Sequence, residues 1–337
     1  MRLDLVAKIK LMRLVGITST VPIEIMVAGG AVPVDLNNVF ITHPRRDRLI
    51  SEAEGFGFPA NFCSWVKGIF QVAREMGIKE VVGVTRGDCS GTEKLLEVYE
   101  LLGIKKIPFS YPVERKAKEL KKEMERFAGY FGTDLKEGGL VRRRLVGIRR
   151  KLARLDELTW REGLVSGYEN HYWLVSASDF NRDIGGFGKE LDNFLEGVKK
   201  RKKGRGGIRI AYLGVPSVFD DLYEVLEELG AVVVYNEVQR EFAMVKGGRN
   251  LIEQYLNYTY PYDIFYRVKE ISKELKQRRV QAIIHYGQTF CHRQIEGMIF
   301  KKVFNLPVLS IEGDKPGALE ARLRTRLEAF LEMIKGG

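Results

Sequence analysis

The chain has 337 residues, 45% of them apolar, and a formal net charge of +11. At roughly 100–200 residues per domain that length gives two or three compact units, able to fold without cross-links, and excludes a disordered chain or a disulfide-stapled miniprotein. No window reaches the roughly 18 uninterrupted apolar residues of a membrane span, and the N-terminal MRLDLVAKIKLMRLVG mixes charges into its apolar positions, unlike a signal peptide.

Short β-branched runs alternate with amphipathic stretches at both ends of the chain. KEVVGV (79–84) reads as a strand, GTEKLLEVYELLG as a helix ended by Gly103, and IKKIPF as the next strand. A long charged helix is expected from about Val113. Between 131 and 204 no strand is expected, only helices broken at Gly138-Gly139, Gly163 and DIGGFG and followed by a basic linker. Alternation then resumes: IRIAYLG, a helix to Leu229, AVVVYNE, helices, VQAIIHYG, a helix to Asn305, and LPVLSIEGD. The tail sets Leu319, Leu323, Leu327, Phe330, Leu331 and Ile334 on one helical stripe. The expected class is α/β: two Rossmann-like (flavodoxin-like) parallel-sheet domains, 1–130 and 205–337, with a helical segment over 131–204.

Charge is less informative than its total suggests. Much of the excess lies in RRRLVGIRRKLAR (142–154) and KKRKKGR (199–205), which read as a solvated helix face and a charged linker. A basic nucleic-acid-binding protein with incidental cysteines remains the competing class, with salt-sensitive binding as its signature.

The chemistry gathers at three cysteines, the only ones present. Cys63 stands at the start of a helix, Cys89 in the loop between a buried strand and the next helix, and Cys291 again after a strand at a helix start. Ligands of open α/β sheets collect beyond the carboxyl ends of the strands, and helix N-termini favour thiolates. The neighbours are polar, which suits a cleft, although a lone cysteine is ordinarily a small buried hydrophobe. An odd cysteine count without an export signal fits a reducing cytoplasm. Zinc sites bring paired spacings such as C-x-x-C, absent here, and a three-cysteine, one-histidine zinc site stays open. An iron–sulfur cube fits better, with three cysteines on three irons and the fourth iron open. A single catalytic thiol lacks a recognisable partner set.

Other candidates are hydroxyls and charges. Thr18, Ser19, Thr20 and Glu24 in GITSTVPIE either line the cleft or form a helix cap with an acidic first turn. Arg45, Arg46 and Arg48 are candidates for binding a ligand's phosphates or an exposed helix start. Arg86-Gly87-Asp88 reads as a turn feeding Cys89. His285 and His292 flank Cys291 as candidates for tuning a cluster by hydrogen bonds.

Landmarks along the whole chain, VGITSTVPIEIMVAGGAVPVDL, FCSWVKG, GVTRGDC, FCHRQIEG and LPVLSIEGD…ARLRTRLEAFLEM, resemble the 2-hydroxyacyl-CoA dehydratase component family. That family includes benzoyl-CoA reductase subunits and double-cubane cluster proteins. The resemblance implies a 4Fe–4S cluster on Cys63, Cys89 and Cys291, or a double-cubane 8Fe–9S cluster if two cubes are linked. It implies a dehydratase or acyl-CoA reductase component, or a homodimeric double-cubane reductase of small molecules. In such dehydratases a separate ATP-hydrolysing iron–sulfur activator donates one electron, which reaches the thioester carbonyl and drives loss of the 2-hydroxyl group. A homodimer or a heterodimer with a paralogous subunit, and an acyl-CoA substrate, follow as expectations. The chain lacks a G-x-x-x-x-G-K-[ST] loop, GGFGKE does not match its spacing, and GVPSVFDD lacks the dinucleotide glycines, so neither ATP nor NAD is expected on this chain.

Overall fold

The computed structural model describes residues 13–204 and 206–336. The charge-rich N-terminus read above (residues 1–12) and Arg205 of the basic linker lie outside the described residues.

Two four-stranded, all-parallel sheets form the frame. The first contains β1 (Arg13–Ile17), β2 (Ala31–Asp35), β3 (Glu80–Arg86) and β4 (Lys105–Ser110) in the order β2-β1-β3-β4. The second contains β5 (Ile208–Gly214), β6 (Ala231–Asn236), β7 (Ala282–Gln288) and β8 (Val308–Gly313) in the order β6-β5-β7-β8. Central strands are buried runs of Val, Ile and Tyr, as a parallel sheet covered on both faces requires. β1 and β2 add two strands ahead of the expected ones. β1 is the short RLVGI, and β2 carries Pro33, which cannot donate to a ladder and is tolerated because β2 is an edge strand.

The long stretch between the sheets is helical, chiefly Leu135–Glu157, Gly167–Ser176 and Ile184–Val198. Gly138 and Gly139 do not break a helix. They lie in the first turns of Leu135–Glu157, where a Cβ on Gly138 would stand 3.2 Å from Ile25 Cγ1, so the glycine permits a close helix crossing. DIGGFG starts a helix instead of interrupting one, with Asp183 as its cap. The charged helix expected from Val113 begins at Ala117. The stripe of the last helix, Ala321–Gly336, is buried through Leu323, Leu327 and Leu331, while Leu319 precedes the helix but packs on the same core.

The basic run 142–154 is not simply a solvated face. Arg142 and Arg149 are buried, and Arg149 pairs with the fully buried Glu24 at 2.7 Å. One apolar core joins the first sheet, the central helices and the segment 238–262 of the second half. No described helix is long and apolar enough to cross a membrane.

Candidate functional site

In the order 2-1-3-4 the direction of winding reverses between β1 and β3, and in the second sheet between β5 and β7, where loops splay apart and leave a crevice. The two crevices face each other across one cavity of about 140 Å³. Thr18, Ser19 and Thr20 arrive after β1, Asp88 and Cys89 after β3, Ser217 after β5, and Cys291, His292 and Arg293 after β7. Cys63 completes the wall as the N-cap of the helix Ser64–Glu75, and that helix adds Trp65. All three cysteines line this one space, two from the first half and one from the second.

They are unpaired, half-buried thiols. Burial pushes the Cys63 thiol up to about 12 and Cys291 up to about 11, and it raises Cys89 as well. The depression expected from helix N-termini is outweighed: Val66 and Trp65 backbone groups favour the Cys63 thiolate, but desolvation and the neighbouring cysteines oppose it more. Thiols in this setting are poor lone nucleophiles at neutral pH. Among the described residues no three His, Cys, Asp or Glu side chains close around a single ion. A cube, unlike a single ion, gives each thiolate its own iron.

Two residues that line the cavity carry a buried donor with no hydrogen-bond partner among the described residues, Trp65 Nε1 and Arg293 Nε, the latter 3.9 Å from Asp88 Oδ1. Arg293 also closes the seam between the halves. It donates to the Gly87 carbonyl (3.0 Å) and to Glu296 (2.8 Å), and it lies 3.9 Å from the Tyr260 ring centroid. The cavity therefore suits an occupant rich in hydrogen-bond acceptors.

The remaining candidates divide. Thr18, Ser19 and Thr20 line the cavity and do not cap: the helix Ile23–Ala28 is preceded by Pro22, with no side-chain cap bond. Glu24 does not join them. It turns into the core, where Arg149, Gln254 (2.7 Å) and Tyr255 (2.8 Å) bond its carboxylate and hold it ionised against desolvation. His292 lines the cavity, half-buried. His285 packs beneath the helix Glu296–Val303 against Phe300 and does not line the cavity. Arg45, Arg46 and Arg48 are paired with Glu75, Asp220 and Glu52.

Residues missed from the sequence also line the site. Asp35 sits at the end of β2, accepting from Ser178. His171 comes from the central helices and borders both the cysteine cavity and an outer vestibule with aromatic walls, Tyr168, Tyr172, Phe219 and Tyr223 among them. Arg293 had a signal, a cation two residues from Cys291; His171 had none.

Residues 18–334 match the family model of the 2-hydroxyglutaryl-CoA dehydratase D-component. The chain belongs to this family. The match begins just after β1 and takes in the other seven strands and all three cysteines, so this dehydratase-family chain carries its cysteine cavity within the matched region. Among curated proteins no significant match accompanies it. The family consists of dehydratase and reductase enzyme components that work with an activator component.

Proposed function

We propose that this chain is the iron–sulfur component of a 2-hydroxyacyl-CoA dehydratase-like or acyl-CoA reductase-like enzyme, with Cys63, Cys89 and Cys291 as the ligands of a 4Fe–4S cluster. One observation carries the reading: three cysteines far apart in sequence, from two sheets, line a single crevice at the strand ends. When bound, such a cluster supplies a low-potential electron and an iron position free to polarise a substrate oxygen. The chain's own residues do the rest. Apolar walls from Ile69, Val66 and Val175 exclude water. Trp65 and Arg293 offer hydrogen bonds to cluster sulfur or to a substrate carbonyl, and the Arg293 charge offsets anionic sulfur. Thr18, Ser19 and Thr20 line the same cavity. A separate activator would deliver the electron, consistent with the family's way of working.

The test is anaerobic reconstitution of wild type and Cys89→Ala with iron and sulfide analysis. Wild type is expected to hold roughly four iron and four sulfide per chain, the content of one cube, and Cys89→Ala far less. Iron-free wild type would overturn the proposal, and a wild-type cluster in Cys89→Ala would overturn the ligand assignment.

A further inference from the structure

His171 lies in the helix Gly167–Ser176, at the junction between the cysteine cavity and the outer vestibule. A chain of buried partners decides which of its ring nitrogens carries the proton, and it starts at an ion pair. Arg278 donates to both oxygens of Asp156 (2.9 and 2.6 Å), and its charge holds that carboxyl ionised, so Asp156 only accepts. Asn170 must then face Asp156 with its Nδ2 (3.2 Å), which turns its Oδ1 toward Asn236. Asn236 donates through Nδ2 to that oxygen (2.8 Å) and to the Gly167 carbonyl (2.9 Å). Its own Oδ1 is left facing the Tyr223 hydroxyl at 2.8 Å.

An amide oxygen has no proton to give, so the single proton of Tyr223 goes to Asn236. The Tyr223 oxygen, 3.1 Å from His171 Nδ1, must accept there, and Nδ1 is the protonated nitrogen. The Gln239 amide nitrogen is placed 3.0 Å from the same Nδ1, so a protonated Nδ1 requires that amide turned by half a turn to present its oxygen there. His171 Nε2 is therefore a bare lone pair, and among the described residues it has no hydrogen-bond partner, since both bonds of the ring are made at Nδ1. Burial pushes the ring down to about 4, which keeps it neutral.

The one cavity is thus lined by an acceptor, His171 Nε2, and by two residues, Trp65 and Arg293, whose Nε1 and Nε have no hydrogen-bond partner among the described residues. A ligand matching both carries a hydroxyl beside a carbonyl. We propose that His171 Nε2 accepts a hydrogen bond from a hydroxyl on the acyl part of the ligand, and so selects a 2-hydroxyacyl thioester over its deoxy counterpart. The inference rests on the acyl-thioester reading above. It requires no proton transfer: the ring orients the hydroxyl and stays neutral.

Two measurements test it. In apo protein labelled with 15N-histidine, the ring shifts of His171 should show Nδ1 protonated and Nε2 unprotonated near pH 7; the opposite tautomer, or an imidazolium, overturns the inference. Calorimetric titration of reconstituted protein with 2-hydroxybutyryl-CoA and with butyryl-CoA should show about a tenfold preference for the hydroxylated ligand, the effect of one hydrogen bond. His171→Leu should abolish that preference, and His171→Gln, whose oxygen reaches a similar point, should restore part of it. Equal binding of the two thioesters to wild type would remove this inference and leave the acyl-thioester reading standing. Binding of neither would remove both.

Discussion

The two halves present the same strand order and end in different chemistry. In the first half the helix before β3 has Cys63 at its N-cap, with no side-chain cap bond. In the second, the helix Ile264–Gln277 before β7 has Asp263 at the corresponding position, and its carboxylate accepts from the Phe265 N–H at 2.8 Å. The loops after β3 and β7 carry Cys89 and Cys291 alike. One scaffold thus serves two purposes at one position: the second half takes the local stability of a capped helix, and the first forgoes it to aim sulfur at the crevice.

The largest effect that would break this comparison concerns iron. Replacing Cys63, Cys89 or Cys291 singly by alanine should strip most of the bound iron from reconstituted protein, while Asp263→Ala should keep all of it, as read by metal analysis. Full iron in Cys63→Ala would mean that the first half is no richer in ligands than the second.

Next comes the way each half satisfies its buried carboxylates. Glu24 depends on Arg149 of the central helices, whereas Glu237 is held by Arg267 of its own half at 2.9 and 3.0 Å. Arg149→Met should cost about 3–5 kcal/mol in chemical denaturation, because it leaves a buried carboxylate with no cation. In wild type the Glu24 carboxyl lies below its ordinary value, so its contribution is full above that value and is lost as pH falls through the folded one.

A smaller effect runs the other way. Burial raises Glu241 from 4.5 to about 7, against the backbone N–H of Thr259 that favours its charge. Between those values the folded chain holds a proton that the unfolded chain has released, so stability falls as pH rises through the window and stays lower above it. Glu241→Gln should flatten that dependence and gain about 2 kcal/mol at pH 8, measured by denaturation at several pH values. The smallest expected change is Asp263→Ala, about 1 kcal/mol of stability for a lost cap, with no counterpart in apo Cys63→Ala.

The strands that were legible from the sequence were those whose residues all face core, such as IRIAYLG and VQAIIHYG, because a covered parallel strand is a plain apolar run. β1 and β2 escaped because a glycine and a proline interrupt short runs whose pairing depends on partners elsewhere in the chain. The cysteines were legible as helix-start and loop positions, and their common cavity emerges only when the two sheets face each other. Glu24 and Thr20 show the limit: four residues apart, one enters the core and the other the cavity, and the partner that decides this, Arg149, lies in a run that looked solvent-facing. His171 was illegible because the bonds that give it meaning come from Asn170, Tyr223, Asn236 and Gln239, three of them more than fifty residues away.

Gly87, in the turn that presents Cys89, has φ +96°, and a Cβ there would stand 2.8 Å from both the Cβ and the carbonyl oxygen of Pro261. Backbone handedness and a wall supplied by the opposite half forbid a side chain independently. Trimming Pro261 alone therefore leaves position 87 closed, and relaxing the turn alone leaves the wall in place. Any lineage that departs from glycine here must first alter two distant parts of its sequence, so the seam makes residue 87 a joint inheritance of both halves.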